Sequence, residues 1–278
     1  MKKGGIFPWV IAMFSEMVCN FGIQHYKEIL KTGIDSGYKF IGFEELETLS
    51  SGEKACILRH DVDYMPGWST FFADIENELG IKSTFFFQVC AKTYNLRESA
   101  NYLLVRQLVK MGHTVGLHLD LGWKTDMEWQ EIVQRCKEDK EVFEAITGVK
   151  PCDIISFHNP HRFVNFVLDK DIPGFRHTYE KAFFSAIKYI SDSQGWYEGC
   201  LCQLFSSGKY EVFQFLSHSY IWPELTTGDF ISDMARMVKC CSDDLVQYLI
   251  DYHPVCKKNE ARLRREVREI QSGLKDQR

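Results

Sequence analysis

The chain lacks any run of eighteen apolar residues, which excludes an ordinary membrane-spanning helix. It has no C-x-x-C pair, and its closest cysteines, Cys200/Cys202 and Cys240/Cys241, lack the spacing of a structural zinc knuckle. Proline is scarce: seven residues, none clustered as a hinge. Internal repeats and low-complexity linkers are missing too, which argues against a solenoid or a string of domains. Nor is there an excess of positive charge. With 33 basic and 38 acidic residues the net charge is -5, which argues against nonspecific nucleic-acid binding.

What remains is an ordinary globular composition, 45% apolar and 26% charged, in 278 residues. That length can bury a large core and suits a single α/β barrel. Ten cysteines are the odd feature. They are scattered along a long chain, so they read as buried thiols in a reducing cytoplasm rather than as a disulfide scaffold. Lys2 and Lys3 precede an apolar stretch, Ile6 to Phe14, as in a short signal peptide. Glu16 interrupts it and no small-x-small cleavage site follows, so the expectation is a cytoplasmic protein.

Strand and helix patterns alternate. Helices are expected over Gln24–Ser36, Trp68–Leu79, Glu98–Met111 and Asp126–Ile146, with glycines beyond their ends at 37, 80, 112 and 148. Strands are expected at Cys56–Arg59, Ser83–Phe87, His113–His118, Ile154–Phe157, Lys188–Ile190 and Val212–Leu216. Alternation of this kind implies parallel β/α units. Helices at Phe230–Ile250 and Asn259–Ile270 would follow as an extension. The tail from Lys257 holds eight basic and four acidic residues, as a solvated helix would.

Polar residues gather where the strands end: His60-Asp61-Val62-Asp63, His118-Leu119-Asp120, Ser156 to His161, Ser191-Asp192-Ser193 and Ser217-His218-Ser219. In parallel α/β folds that end is the active face. Any one such histidine reads most simply as a satisfied core residue, but five clusters at equivalent places favour a site. Asp61 and Asp63 stand two apart in an extended segment, so both carboxylates can face one cavity. Close carboxylates repel unless a cation or proton intervenes. The plain alternative is that they cap a helix or close a turn.

The order Arg59-His60-Asp61-Val62-Asp63, Ser83-Thr84-Phe85-Phe86-Phe87 and Gly112-His113-Thr114-Val115-Gly116-Leu117-His118 resembles the NodB-like polysaccharide deacetylases, carbohydrate esterase family 4. The resemblance spans roughly Tyr26 to Trp222. Tyr189-Ile190-Ser191-Asp192-Ser193 with Trp196, and Phe215-Leu216-Ser217-His218 with Trp222, resemble a branch from bacterial surface-polysaccharide loci. The resemblance implies an α/β fold, a distorted seven-stranded (β/α) barrel over residues 20–225, with a helical C-terminal extension over 226–278 in one domain. It implies removal of acetyl groups from N-acetylated sugars with a divalent metal, zinc being the first choice.

Carried over position by position, the resemblance makes Asp61 the general base and Asp63 a metal ligand. His118 matches the first histidine of the second motif. The second histidine would fall at Gly122, which cannot ligate. The third motif, normally Arg-x-Pro-Tyr, reads His158-Asn159-Pro160-His161. His158 is therefore the expected third ligand, with Asp120 as runner-up and a hydrogen bond to Asp61 as the metal-free alternative. His218 matches the catalytic acid, and Asp192 the residue that orients it. Asn159, His161, Trp196, Trp222 and Asp120 are expected around the substrate, the tryptophans lining an acetyl pocket or simply the core. A backbone N–H, that of His161, would help hold the oxyanion. His60, His113 and His177 receive no role. The partner is then a carbohydrate, with no nucleic acid and no membrane span. The Gly122 departure keeps a non-catalytic glycan-binding or assembly protein open, beside a metal hydrolase of another amide or an O-acetyl ester.

Overall fold

The computed structural model describes residues 19–121, 127–159, 170–193, 196, 199–222 and 230–272. Its centre is a curled sheet of parallel strands forming a half-barrel. The strands are β1 (Lys39–Ile41), β2 (Ala55–Val62), β3 (Thr84–Phe87), β4 (Thr114–Leu119), β5 (Ile154–Phe157), β6 (Arg176–His177), β7 (Lys188–Ser191) and β8 (Val212–Ser217). Seven run in the order β6-β5-β4-β3-β2-β8-β7, all parallel. The short β1 pairs with the first residues of β2, on the edge that β3 takes over from Arg59 onward.

The helices are α1 (Ile23–Asp35), α2 (Ser69–Glu78), α3 (Ser99–Lys110), α4 (Trp129–Thr147), α5 (Lys181–Phe184), α6 (Leu201–Ser207), α7 (Phe230–Tyr252), α8 (Pro254–Lys258) and α9 (Glu260–Gln271). The start expected for α4, at Asp126, lies outside the described residues. The helix begins at Trp129, where Glu128 and Glu131 form a capping box, and ends on Gly148 at φ 67°. In α9, Arg264 pairs with Glu260 one turn back at 2.9 Å, as its mixed charge suggests. No described helix is long and apolar enough to cross a membrane.

β2 is longer than its apolar run suggests. Arg59, His60 and Asp61 belong to it, and all eight of its residues are buried. Its alternation divides the molecule. Cys56, Leu58 and Val62 face the helices and join the main core with Tyr26, Phe72 and Phe85. Ala55 and Ile57 face the barrel interior and join a smaller cluster with Phe43, Phe86, Ile154 and Phe183. Phe86 fills that interior so tightly that a Cβ on Gly116 would stand 2.6 Å from its ring, so β4 needs glycine there. Continuing inward-facing up β2 brings Arg59 and then Asp61 to the C-terminal end of the strand.

The thiols do not all sit as expected. Cys56, Cys136, Cys200 and Cys202 are buried, but Cys90 and Cys241 are exposed and Cys240 is half-buried. Cys90 lies past the end of β3, in an exposed turn.

Candidate active site and metal centre

The interior is layered. Above the apolar plug lies Arg59, with no solvent exposure. Its Nε donates to Asp61 Oδ1 at 2.9 Å and its Nη2 to Asp61 Oδ2 at 2.7 Å. Its Nη1 donates to Gln214 at 2.9 Å, and Nη2 also reaches Ser156 Oγ at 2.7 Å and the Tyr179 hydroxyl at 3.0 Å. A charge so deeply buried survives only when paired and hydrogen-bonded in this way. Burial alone would raise the Asp61 carboxyl, but the guanidinium outweighs it and holds Asp61 down at about 2.

Asp63, His118 and His158 converge one step higher. Asp63 Oδ1 lies 3.0 Å from His118 Nε2 and 2.9 Å from His158 Nδ1, and the two nitrogens are 3.1 Å apart. Gln88 also donates to Asp63 Oδ1, at 3.0 Å. Burial would raise Asp63; hydrogen bonds from the two histidines win and lower it well below the carboxylate range. Burial likewise works against the charged form of His158, yet its bond to Asp63 raises it.

The hydrogen bonds below this trio assign the tautomer of His118. Ser156 Oγ donates to Asp61 Oδ2 at 2.9 Å and accepts from Arg59, so its remaining lone pair takes the proton of His118 Nδ1, 3.1 Å away. His118 Nε2 faces a carboxylate oxygen of Asp63 3.0 Å away, a contact that a proton on Nε2 or a bound cation satisfies. Three N/O donors with edges of about 3 Å match one face of a six-coordinate shell with bonds of ~2.1 Å. The residues therefore fit a divalent cation, bound by two histidines and one carboxylate with other positions left open.

Across the cavity stands His218. Its Nε2 lies 3.9 Å from Asp63 Oδ2, and its Nδ1 is 2.6 Å from Asp192 Oδ1. Asp192 Oδ2 accepts from the His218 backbone N–H at 2.7 Å and from Trp222 Nε1 at 2.6 Å. Burial would lower His218; the Asp192 carboxylate overrides it and lifts the imidazole to about 9. It is an acid at neutral pH, with its Nδ1 fixed and its Nε2 aimed into the cavity.

The structure thus brings Asp61, Asp63, His118, His158, His218 and Asp192 together at the strand ends. Asn159 is exposed beside them, at φ 47°, with its amide 2.8 Å from His158 Nε2. Asp120 is half-buried and does not join the converging ligand atoms. His161, Pro160 and Gly122 lie outside the described residues. Of the two places expected for Trp222, the structure has the core: it has no exposed surface, is packed edge-on against Tyr26 and Phe21, and donates to Asp192. Trp196 is half-buried and stacks on Phe21 with centroids 5.0 Å apart. His60 and His113 point behind the sheet, at 2.7 and 3.6 Å from the buried Glu76.

Sequence reasoning missed Arg59, Ser156 and Gln88 as working parts of the site. The available signal for Arg59 was an arginine inside an otherwise apolar strand. A second cluster was also missed, because its members are far apart in the sequence. Cys19, His25, Cys200 and Cys202 have ligand atoms within 4.8 Å of one another. Within it a hydrogen bond from Cys200 lowers the Cys202 thiol, against burial, with His25 and Cys19 adding to the effect.

No protein-family model matches the chain, and no curated protein matches it. Solved structures do resemble it. The likeness is to carbohydrate esterases of family 4. A chitin deacetylase from the fungal pathogen Colletotrichum lindemuthianum is 14% identical, with 74% of this chain and 87% of that one covered and a TM-score of 0.41. A family 4 carbohydrate esterase from Bacillus anthracis is 13% identical over 79% and 86%, with a TM-score of 0.38. A mutant of a family 4 pseudoenzyme, with restored enzymatic activity, is 12% identical with a TM-score of 0.38; the match covers 69% of this chain and 64% of that one. The scores are low, and the chemistry of the site stands on its own geometry.

Proposed function

We propose that the chain is a metal-dependent hydrolase that removes an acetyl group from an N-acetylated sugar or polysaccharide precursor. The observation that carries this is the placing of an Asp63–His118–His158 ligand set between two groups of opposite duty. Asp61 is an ionised carboxylate on one side, and His218 a protonated imidazole on the other. The sugar as substrate rests on the motif resemblance, as does the surface-polysaccharide setting.

Asp63, His118 and His158 would hold the cation, zinc being our first choice, which when bound acidifies water and polarises an acyl oxygen. Asp61 receives the proton of the attacking water. Its basicity is low, but Arg59 keeps it ionised at every working pH and fixes its direction. His218 Nε2 then delivers a proton to the departing amine, and Asp192 stabilises the imidazolium through Nδ1.

Acetate release should be seen with N-acetylated amino sugars, should stop in chelator and should return when a divalent ion is restored. If no N-acetylated sugar or glycan yields metal-dependent acetate, the reading fails. Release from O-acetyl esters or non-sugar amides alone would move the activity to another substrate class on the same machinery.

The role of Asp192 has its own signature. Asp192→Asn keeps acceptors for Trp222 and the backbone but removes the charge that lifts His218 to about 9. The alkaline limb of the kcat profile should move down by about 1–2 pH units. An unmoved limb would remove His218 from the acid role.

A further inference from the structure

We infer that Cys19, His25, Cys200 and Cys202 form a second metal site, a structural Cys3His zinc centre separate from the cavity at the strand ends. Cys19 lies just before α1 and His25 in its first turn. Cys200 caps α6 and Cys202 lies in its first turn. Cys19 and Cys202 are 183 residues apart in sequence, yet the two pairs share one cluster in space.

Two of the six spacings can be set against a tetrahedron. Two thiolates at ~2.3 Å from one zinc ion stand about 3.8 Å apart, and a thiolate and an imidazole nitrogen at ~2.0 Å stand about 3.5 Å apart. Here Cys19 Sγ and Cys202 Sγ are 3.7 Å apart, and His25 Nε2 and Cys200 Sγ are 3.2 Å apart. His25 is only 3% exposed, Cys200 2% and Cys202 5%, so three of the four donors are shielded from water, while Cys19 is half-buried.

A further contact points the same way. His25 turns its other nitrogen, Nδ1, to Glu28 Oε2 at 3.2 Å. A carboxylate on the far nitrogen fixes the tautomer that leaves Nε2 free to ligate, and this is the usual outer partner of a zinc-bound histidine. Four ligands are present, so no position is left open for substrate, unlike the Asp63 set with three.

Such an ion would tie the segment before α1 to the start of α6. Phe21, between Cys19 and His25, stacks on Trp196 and meets Trp222, which holds Asp192. The centre is thus a brace behind the catalytic histidine, and its existence does not depend on what the cavity hydrolyses.

Metal analysis of the purified full chain tests it. Wild type should carry zinc that p-hydroxymercuribenzoate releases, and cobalt(II) in its place should show thiolate-to-cobalt charge transfer with tetrahedral visible bands. Those bands should persist in Asp63→Ala/His118→Ala and vanish in Cys200→Ser/Cys202→Ser, which should contain about one zinc fewer. Wild-type protein with no mercurial-releasable zinc and no thiolate–cobalt bands would overturn the inference, whatever the serine variant does. So would a Cys19–Cys202 disulfide in the native mass.

Discussion

Asp61→Asn should lower kcat by about 10²–10⁴-fold while the metal content of the protein stays as it was. The range is that of a lost general base. Metal is retained because the ligand atoms belong to Asp63, His118 and His158, and Asp61 touches them only through Ser156 and at 3.7 Å from His118. The substitution has a second consequence. The amide would keep the shape of the carboxylate but leave the Arg59 guanidinium, which has no solvent exposure, without its counter-charge. A buried pair broken from one side costs about 3–5 kcal/mol. The activity must therefore be read well below the variant's own melting temperature, with metal determined on the same folded sample. Loss of metal together with activity would exchange the duties assigned to the two aspartates.

Arg59→Met breaks the same pair from the other side and should cost a similar amount of stability, about 3–5 kcal/mol, measured by denaturant unfolding. The pH dependence follows from the direction of the Asp61 shift. Its folded value, about 2, lies below its ordinary 3.8. The stability it contributes is therefore complete above pH 3.8 and lost as the pH falls through about 2. Without Arg59 the burial of Asp61 is unopposed by its main partner, so the carboxyl rises and the acid limb of the rate profile moves to higher pH. The double variant Arg59→Met/Asp61→Asn removes both charges. It should recover much of the lost stability and none of the activity. A double variant as unstable as the sum of its parts would show that the two side chains are not coupled as their bidentate geometry indicates.

The strands that sequence reasoning places well are those whose burial is unbroken. Ile154–Phe157 coincides with β5, and Val212–Leu216 differs from β8 by one residue. β1 and β6 escaped because three and two residues carry no period. The expected strand Cys56–Arg59 ends too early because His60 and Asp61 read as polar. The burial of Arg59, His60 and Asp61 is made possible by partners on β5, β8 and α2 that no local window contains. The place of His158 beside Asp63 and His118 was legible from its strand-end position and from the gap at Gly122. Trp222 was left between pocket and core because sequence marks its proximity to His218 but not the side on which it packs. The Cys19–His25–Cys200–Cys202 group was hidden by distance along the chain, since its two halves meet only through the packing of α1 against α6.

The counter-ion of Asp61 stands on the same strand as Asp61 itself, two residues back. Base, counter-ion and one ligand, Asp63, thus form a rigid cassette within five consecutive residues, and no surface loop is required to complete it. A displacement of this one strand end would therefore carry Arg59, Asp61 and Asp63 together, leaving their mutual spacing unchanged.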